Sequence, residues 1–136
     1  MTTRIPDAAL DELRAVLGPG GHLDAPDEIE PYLVDFRRLY HGAAPLVARP
    51  DSVGRVAQVV RVGAAHGIGI VPQGGNTSYC GGAVPRESGR EIVLSLTRLN
   101  RVRQLDAAGC SLTLDAGCTL AQAQAAALDA GRRFPL

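Results

Sequence analysis

The residues best suited to bind a ligand lie in one glycine-rich run, which follows an apolar stretch at 68–71 that predicts a buried strand. The run, here called the glycine loop, carries no charge and reads Pro72-Gln73-Gly74-Gly75-Asn76-Thr77-Ser78-Tyr79-Cys80-Gly81-Gly82. Glycine adopts positive φ and has no Cβ, so such a loop can bring several backbone N–H groups up to one ligand. A diphosphate suits this geometry best. The loop therefore predicts a site for a phosphate-bearing cofactor.

Three types of phosphate-binding loop could account for these glycines. A Walker-type loop needs a lysine after its last glycine, and no lysine lies in or after this loop. The dinucleotide fingerprint G-x-G-x-x-G must open a helix, but counted from Gly67 its third glycine is Pro72, and Pro85 and Gly89 interrupt any helix after the loop. The third type grips a diphosphate with backbone amides alone, between a strand and an extended segment, and the sequence fits it. A glycine-rich turn without a ligand is the alternative.

Composition indicates a globular chain without a strongly charged partner. The 136 residues suit one domain or a large part of one, and with 46% hydrophobic and only 4% aromatic residues the core must be mostly aliphatic. Lys+Arg and Asp+Glu are 14 each, so neither nucleic acid nor an anionic membrane is an expected partner. No apolar run is long enough to span a bilayer, and the N-terminus lacks the apolar core of a secretion signal. We expect a cytoplasmic protein.

The residue types that usually carry metal or nucleophilic chemistry are scattered. The cysteines are odd in number and form no C-x-x-C pair, so neither a disulfide framework nor a metal site is predicted. We expect Cys110 and Cys118 to be small buried residues, and His66 to stabilise a helix end as a cation. Arg37 and Arg38 could meet a carboxylate, but a solvated pair is the favoured interpretation. The sequence identifies no catalytic residue.

Periodicity before the glycine loop predicts two helices near the N-terminus. Leucines at helical spacing predict a helix over 7–17, with Asp7 as its N-cap. A short second helix is expected over 27–36, interrupted or restarted at Pro31. Residues 37–42 are interpreted as a solvated loop rather than a ligand-facing segment.

A strand–helix–strand unit then leads into the glycine loop. A strand over 46–50 precedes a helix that Ser52 caps and Gly67 ends. This order favours a parallel pair of strands joined by a right-handed crossover. The loop would then leave the carboxyl end of the second strand, where open α/β sheets bind ligands. The predicted apolar face of the helix consists of Val53, Val56, Ala57, Val60 and Ala64.

After the loop, three more strands and a helix are predicted. Alternation indicates a strand over 92–96 and two antiparallel strands over 101–105 and 110–115. A capping box at Thr119–Gln122 begins a last helix, which runs to Ala130.

The pattern resembles the first flavin-binding loop of the PCMH-type FAD-binding domain, the vanillyl-alcohol oxidase family. The residues that carry the resemblance are Pro72-Gln73-Gly74-Gly75-Asn76-Thr77, followed by Gly81-Gly82-Ala83-Val84-Pro85. The resemblance extends over residues 30–136 and includes the strand at 47–50, the segment at 91–102 and the strand–helix unit at 115–136. Within the family, the chain most resembles the D-2-hydroxyacid dehydrogenases, a branch that oxidises D-2-hydroxyglutarate, D-lactate or glycolate.

The resemblance implies an α+β fold with a PCMH-type FAD-binding domain. Residues 1–44 would be an N-terminal helical segment. Residues 45–136 would be a partial PCMH-type domain, made of a β-α-β subdomain and the start of a second, incomplete subdomain. The cofactor would be FAD, with its pyrophosphate held by the backbone amides of residues 74–78. The implied cofactor-binding residues are Pro72, Gln73, Gly74, Gly75, Asn76, Thr77, Ser78, Gly81, Gly82, Pro135 and Leu136.

Two details of the implied site follow from the same resemblance. Gly81 and Gly82 would let the chain pass close to the flavin, and the segment Phe134-Pro135-Leu136 would approach the isoalloxazine. Some relatives attach FAD covalently through a histidine in this loop. Here Asn76 takes that place, so FAD is expected to be non-covalent. Ser78-Tyr79-Cys80 departs from the smaller or aliphatic residues of the family pattern.

The implied function is the oxidation of a small 2-hydroxyacid to a 2-oxoacid, with an electron acceptor that the sequence does not identify. The family continues beyond the Phe-Pro-Leu position into a second flavin loop and a substrate domain. The chain is therefore expected to be the N-terminal part of such an oxidoreductase, and inactive alone. Two alternatives stay open: a non-catalytic module that binds FAD or another diphosphate, and an inactive gene fragment.

Overall fold

The computed structural model describes residues 4–136, in which four helices accompany a four-stranded sheet and a separate two-stranded sheet. Residues 1–3 of the predicted N-terminal segment lie outside this range. The helices are α1 (Asp7–Leu17), α2 (Pro26–Leu33), α3 (Val53–His66) and α4 (Leu120–Asp129). The strands are β1 (His22–Leu23), β2 (Val47–Ala48), β3 (Gly69–Gln73), β4 (Glu91–Ser95), β5 (Val102–Asp106) and β6 (Ser111–Leu114).

The larger sheet has the strand order β1-β2-β4-β3. Strands β2, β4 and β3 are parallel, and β1 pairs antiparallel with β2. The predicted parallel direction of β2 and β3 is thus correct, but the two are not neighbours, because β4 lies between them. The central position of β4 explains why Ile92, Val93 and Leu94 are all buried, since a central parallel strand is covered on both faces.

Helices cover both faces of this sheet. On one face, α1 and α3 pack together, and their leucines and valines join Leu46, Ile92 and Leu94 in one apolar cluster. On the other face, α2 buries Ile29 and Leu33 against Val47 and Val93. Neighbouring residues of β4 therefore point to opposite layers, as the period of two in a strand requires.

The two N-terminal helices differ in detail from the sequence prediction. The boundaries of α1 agree, but Pro6 occupies the N-cap position without a side-chain cap, and Asp7 is already helical. The second helix begins at Pro26, a residue favoured in the first turn. It ends at Leu33 because Val34 is extended and forms an isolated bridge with His41.

The buried face of α3 is not the predicted one. Ser52 and Gly67 cap the helix as expected. Its buried residues are Val59, Val62 and Gly63; of the predicted face, Val56 packs partly buried against the core, whereas Val53 is 58% exposed. Small apolar residues occur on several sides of this helix, so the periodicity is compatible with more than one buried face. The contact with α1 and β3 selects one of them.

The last three elements form a hairpin with a helix beside it. Strands β5 and β6 are antiparallel, and both bonds of the Thr119–Gln122 capping box are present at the start of α4. Buried Asp115 follows β6 and accepts hydrogen bonds from the side chain of Arg103 and the backbone N–H of Arg101. The hydrogen bond from Arg103 is the main reason that the pKa of Asp115 lies below its ordinary value.

The cysteine prediction is wrong for the hairpin. Cys110 is exposed and has a φ of 51°, and Cys118 is only half-buried. Cys110 lies in the turn between β5 and β6 rather than in a strand, so it has no sheet face against which to pack. Among the helices in residues 4–136, none has both the length and the apolar character needed to cross a bilayer.

Candidate functional site

The glycine loop follows β3 on the side of the sheet where the carboxyl ends of the three parallel strands lie. Gln73, the last residue of β3, pairs with Ser95, the last residue of β4. Within the described residues 4–136, the backbone N–H groups of residues 74–78 donate to no protein acceptor. The loop therefore presents a row of uncommitted donors at the carboxyl end of a parallel sheet, the usual place for a ligand in such a fold.

The approach to these donors is open. A Cβ built on Gly74 or Gly82 would meet no atom within 4 Å, and one on Gly75 would meet only Thr77 Cγ2 at 3.9 Å. Gly81 differs, because its φ is +69° and an added Cβ would lie 2.8 Å from the ring of Tyr40. Gly81 thus serves the packing of the loop, whereas residues 74 and 75 leave space for a ligand.

Two side-chain amides fasten the loop to the end of α2. Gln73 is buried, and its Nε2 donates to the carbonyl oxygens of Tyr32 (3.0 Å) and Ala83 (2.8 Å). Asn76 has a φ of 53°, and its Nδ2 donates to the carbonyl oxygens of Val34 (2.7 Å) and Pro31 (3.3 Å). A left-handed conformation is tolerated by asparagine better than by most residues. The sequence pattern marked both residues but not these contacts.

A second turn, residues 35–41, lies beside the glycine loop. The buried carboxylate of Asp35 accepts backbone N–H groups from Arg37 (3.1 Å), Leu39 (2.7 Å) and Tyr40 (2.7 Å). The bond from the Tyr40 amide is the main reason that the pKa of Asp35 is lowered. Sequence analysis missed this residue, although an aspartate at the start of a turn is a recognised signal for such bonds.

Aromatic and cationic side chains join the two turns on their outer surface. The rings of Phe36 and Tyr79 have centroids 6.3 Å apart, and the Arg37 guanidinium lies 5.8 Å from the Tyr79 ring centroid. Phe36 and Tyr79 nevertheless stay largely exposed. Of the predicted solvated loop 37–42, residues 37–41 are exposed, but Gly42 is buried against Pro85.

The predicted site residues fall into two groups. Pro72 and Gln73 are the last two residues of β3, which is half-buried rather than buried as predicted. Residues 74–78, Gly81 and Gly82 lie in the loop that follows, in which the Ser78 hydroxyl accepts the N–H of Cys80 at 3.3 Å. Pro135 and Leu136 lie beside α4 instead, where Gln124 donates to the carbonyl oxygen of Leu136. The part of the chain that the structure describes has no group of three or more His, Cys, Asp or Glu residues placed to hold a metal ion.

The residues present fit the pyrophosphate of a dinucleotide such as FAD. Free backbone N–H groups supply hydrogen-bond donors to phosphate oxygens, and consecutive glycines leave the approach clear. No carboxylate belongs to the loop, so nothing in it repels an anion. The geometry thus supports a diphosphate-binding cradle that needs no lysine.

Comparison with known proteins identifies the class. The sequence profile of the FAD binding domain family matches residues 44–136, and the chain belongs to this family of PCMH-type flavoproteins. FAD is the cofactor of the family, as predicted. The α+β fold prediction is confirmed as well.

Several relatives in this comparison are D-2-hydroxyglutarate dehydrogenases by name. The chain is 34% identical over 118 residues to the mitochondrial D-2-hydroxyglutarate dehydrogenase of Danio rerio. This alignment covers 87% of this chain and 22% of the relative. It is 37% identical over 111 residues to D-2-hydroxyglutarate dehydrogenase of Xanthomonas citri pv. viticola, or 82% of this chain and 23% of the relative. The chain thus spans less than a quarter of the length of these relatives.

Solved structures show the same fold. Alkyldihydroxyacetonephosphate synthase superposes with a TM-score of 0.82 at 19% identity, over 93% of this chain and 25% of the other. Substrate-bound p-cresol methylhydroxylase superposes with a TM-score of 0.77 at 25% identity, over 92% of this chain and 25% of the other.

The cytoplasmic location expected from the sequence is wrong by this comparison. The Danio rerio relative is a mitochondrial protein by name, and so is a Bos taurus D-2-hydroxyglutarate dehydrogenase that is 34% identical over 81% of this chain. The expectation depended on the lack of a membrane-spanning run and of a secretion signal, and neither carries information about import into an organelle.

Proposed function

We propose that this chain is the FAD-binding part of a flavin-dependent oxidoreductase that converts a 2-hydroxyacid to a 2-oxoacid. The observation that carries the proposal is the open glycine loop, with uncommitted N–H groups at residues 74–78, in a chain of the FAD-binding family. The substrate class is inferred from the D-2-hydroxyglutarate dehydrogenases among its relatives. The electron acceptor is left open.

The chain's own contribution is to hold and orient the cofactor. In this proposal the backbone N–H groups of residues 74–78 donate to the pyrophosphate, and Gly74 and Gly75 keep its path free of side chains. When bound, FAD supplies the redox chemistry, accepting hydride from an alcohol carbon. Asn76 offers an amide rather than a nucleophilic imidazole, so the attachment is non-covalent.

The proposed division of the chain follows the same logic. Residues 45–136 would contact the cofactor, and residues 1–44 would support them. In support of this, α1 shares an apolar cluster with α3, and α2 carries the carbonyl groups of Pro31 and Tyr32, to which the glycine loop is hydrogen-bonded. Pro72, Pro135 and Leu136 keep their proposed place among the cofactor contacts, the last two on a different part of the flavin from the loop.

A titration of the purified chain with FAD tests the proposal. We expect quenching of flavin fluorescence at a saturable site, and full release of the flavin after heat denaturation and filtration, because no covalent bond forms. Flavin that stays attached to the denatured chain would contradict non-covalent binding. A chain that does not bind FAD would refute the assignment itself.

The oxidoreductase assignment needs a second measurement. Anaerobic addition of D-2-hydroxyglutarate or D-lactate to the FAD-loaded product of the complete gene should bleach the flavin absorbance if the 2-hydroxyacid chemistry is present, whereas the 136-residue chain alone is expected to be inactive. Tight binding of FAD without bleaching by any 2-hydroxyacid would instead favour a non-catalytic FAD-binding module. That module is the second candidate, because the glycine loop alone accounts for binding.

A further inference from the structure

We propose that the side chains of Gln73 and Asn76 are positioning residues, not cofactor contacts. They cap the C-terminal end of α2 from a distance in sequence, and by doing so they hold the glycine loop in its cofactor-binding shape. The inference rests on the proposed function, because the shape matters only if the loop binds the pyrophosphate. It assigns α2 a part in cofactor binding, although α2 does not touch the free N–H groups.

The end of α2 needs such partners. The last carbonyl groups of any helix have no donor inside the helix and must find donors elsewhere. Here Asn76 donates to Pro31 O, Gln73 to Tyr32 O and the backbone N–H of Gly42 to Leu33 O. The helix has no basic residue in its last turn and contains a proline. Its C-terminal carbonyl groups are therefore paired with the glycine loop and with Gly42.

The same bonds fix the loop at both ends and in the middle. Gln73 precedes the loop glycines, and its second hydrogen bond goes to Ala83 O, just after Gly82. Asn76 lies between these points and adds a bond to Val34 O. Gly74, Gly75 and Gly82, which have the greatest backbone freedom, are thus enclosed by fixed points. Holding a flexible loop before binding reduces the entropy that binding must overcome.

A count of donors excludes direct binding of the pyrophosphate by these side chains. A primary amide has two N–H donors and one carbonyl acceptor. Gln73 uses its nitrogen for Tyr32 O and Ala83 O, and Asn76 uses its nitrogen for Pro31 O and Val34 O. Each side chain has only an oxygen left, and an oxygen acceptor cannot pair with an anionic phosphate. Their effect on FAD must therefore be indirect.

The electrostatics of the helix end makes a sharp test possible. Carbonyl oxygens and the negative end of the helix dipole meet at the C-terminus of α2. The substitutions Asn76→Asp and Gln73→Glu preserve size but replace the donating nitrogen by a charged oxygen. Both bonds of each amide would be lost and replaced by repulsion. We expect the end of α2 and the glycine loop to separate, with the rest of the fold unchanged.

The experiment measures FAD affinity and backbone protection in the same variants. Asn76→Asp and Gln73→Glu should each weaken FAD binding about 10-fold or more, the equivalent of one to two hydrogen bonds. The matched controls are Asn100→Asp and Gln58→Glu, at exposed residues whose side chains make no hydrogen bond within residues 4–136. They make the same charge change and should stay within about twofold of the parent chain.

Hydrogen exchange of the FAD-free protein separates positioning from contact. In Asn76→Asp and Gln73→Glu, peptides that cover 26–42, whose amides are hydrogen-bonded, should exchange faster, whereas peptides of α4 should not. Loss of FAD affinity without faster exchange would overturn the proposal, because repulsion between the new carboxylate and the pyrophosphate would then account for the loss. Faster exchange with unchanged FAD affinity would also overturn it, since the contacts would be purely structural.

A milder variant covers the case in which the acid variants do not fold. Asn76→Gly keeps the positive φ and removes only the two donors, so it should fold and still lose several-fold in FAD affinity. An Asn76→Gly chain that binds FAD as tightly as the parent would refute the positioning role and leave the proposed function intact. Failure of the parent chain to bind FAD would refute the proposed function and this role with it.

Discussion

Replacing Gly75 by valine should abolish FAD binding without harming the fold. In the structure, a Cβ on Gly75 would meet only Thr77 Cγ2 at 3.9 Å, an ordinary contact distance. The φ of Gly75 is not positive, so a side chain at this position creates no left-handed backbone strain. Replacing a glycine at a permissive position restricts the unfolded chain and stabilises a protein by about 0.4–1 kcal/mol.

The cost to binding follows from the donors that the new side chain would block. A hydrogen bond to a charged group contributes about 1.5–3 kcal/mol. If valine keeps the pyrophosphate from two of the N–H groups in residues 74–78, the loss is at least about 3 kcal/mol. That corresponds to an affinity more than about 100-fold lower.

The assay pairs FAD titration with thermal unfolding. The control is Gly54→Val, an exposed glycine in the first turn of α3, where an added Cβ would meet only Ser52 Oγ at 4.0 Å. We expect both variants to unfold at or slightly above the temperature of the parent chain, and only Gly75→Val to lose FAD. Unchanged FAD affinity in Gly75→Val would refute the assignment of the glycine loop.

Three further predictions concern the fold that supports the loop. Gly117→Ala should lower the free energy of unfolding by about 2 kcal/mol or more, because its Cβ would overlap the carbonyl oxygen of Leu96; a melting temperature equal to that of the parent would contradict this. Leu13→Ala, at a fully buried position, should cost about 2–5 kcal/mol in urea unfolding with an unchanged m-value; a loss well below this range would show that the α1 contact is not part of the core. Because the pKa of Asp115 is lowered, its pairing with Arg103 stabilises the folded protein at any pH above 3.8, the ordinary pKa of an aspartate. This contribution is lost as the pH falls through the lower pKa of the folded state. Asp115→Asn should therefore be less stable than the parent at neutral pH and lose less stability than the parent as the pH is lowered into the acid range, as measured by urea unfolding; parallel losses would exclude the role of Asp115.

Features encoded by neighbours in the chain could be predicted. The helix at 7–17, the caps Ser52 and Gly67, and the Thr119–Gln122 capping box depend on residues a few positions apart. The glycine loop is also local, because its signal is the density of glycine after a strand. Its resemblance to a flavin loop led to the family and the cofactor, which the comparisons confirmed.

Features that depend on packing could not be predicted. The buried side of α3 was misassigned because valine and alanine occur on several of its faces, and only contact with α1 decides between them. The insertion of β4 between β2 and β3 is a choice among sheet topologies that the order of the elements does not specify.

The sequence by itself determined that one uncharged glycine loop follows a short strand, and the resemblance of this loop led to the FAD-binding family. Only the tertiary structure decided what holds that loop. Gln73 and Asn76 reach carbonyl groups at the end of α2 that lie 41 to 45 residues earlier in the chain. Hydrogen bonds across such separations form only when the sheet has brought both segments together, so no local pattern can specify them.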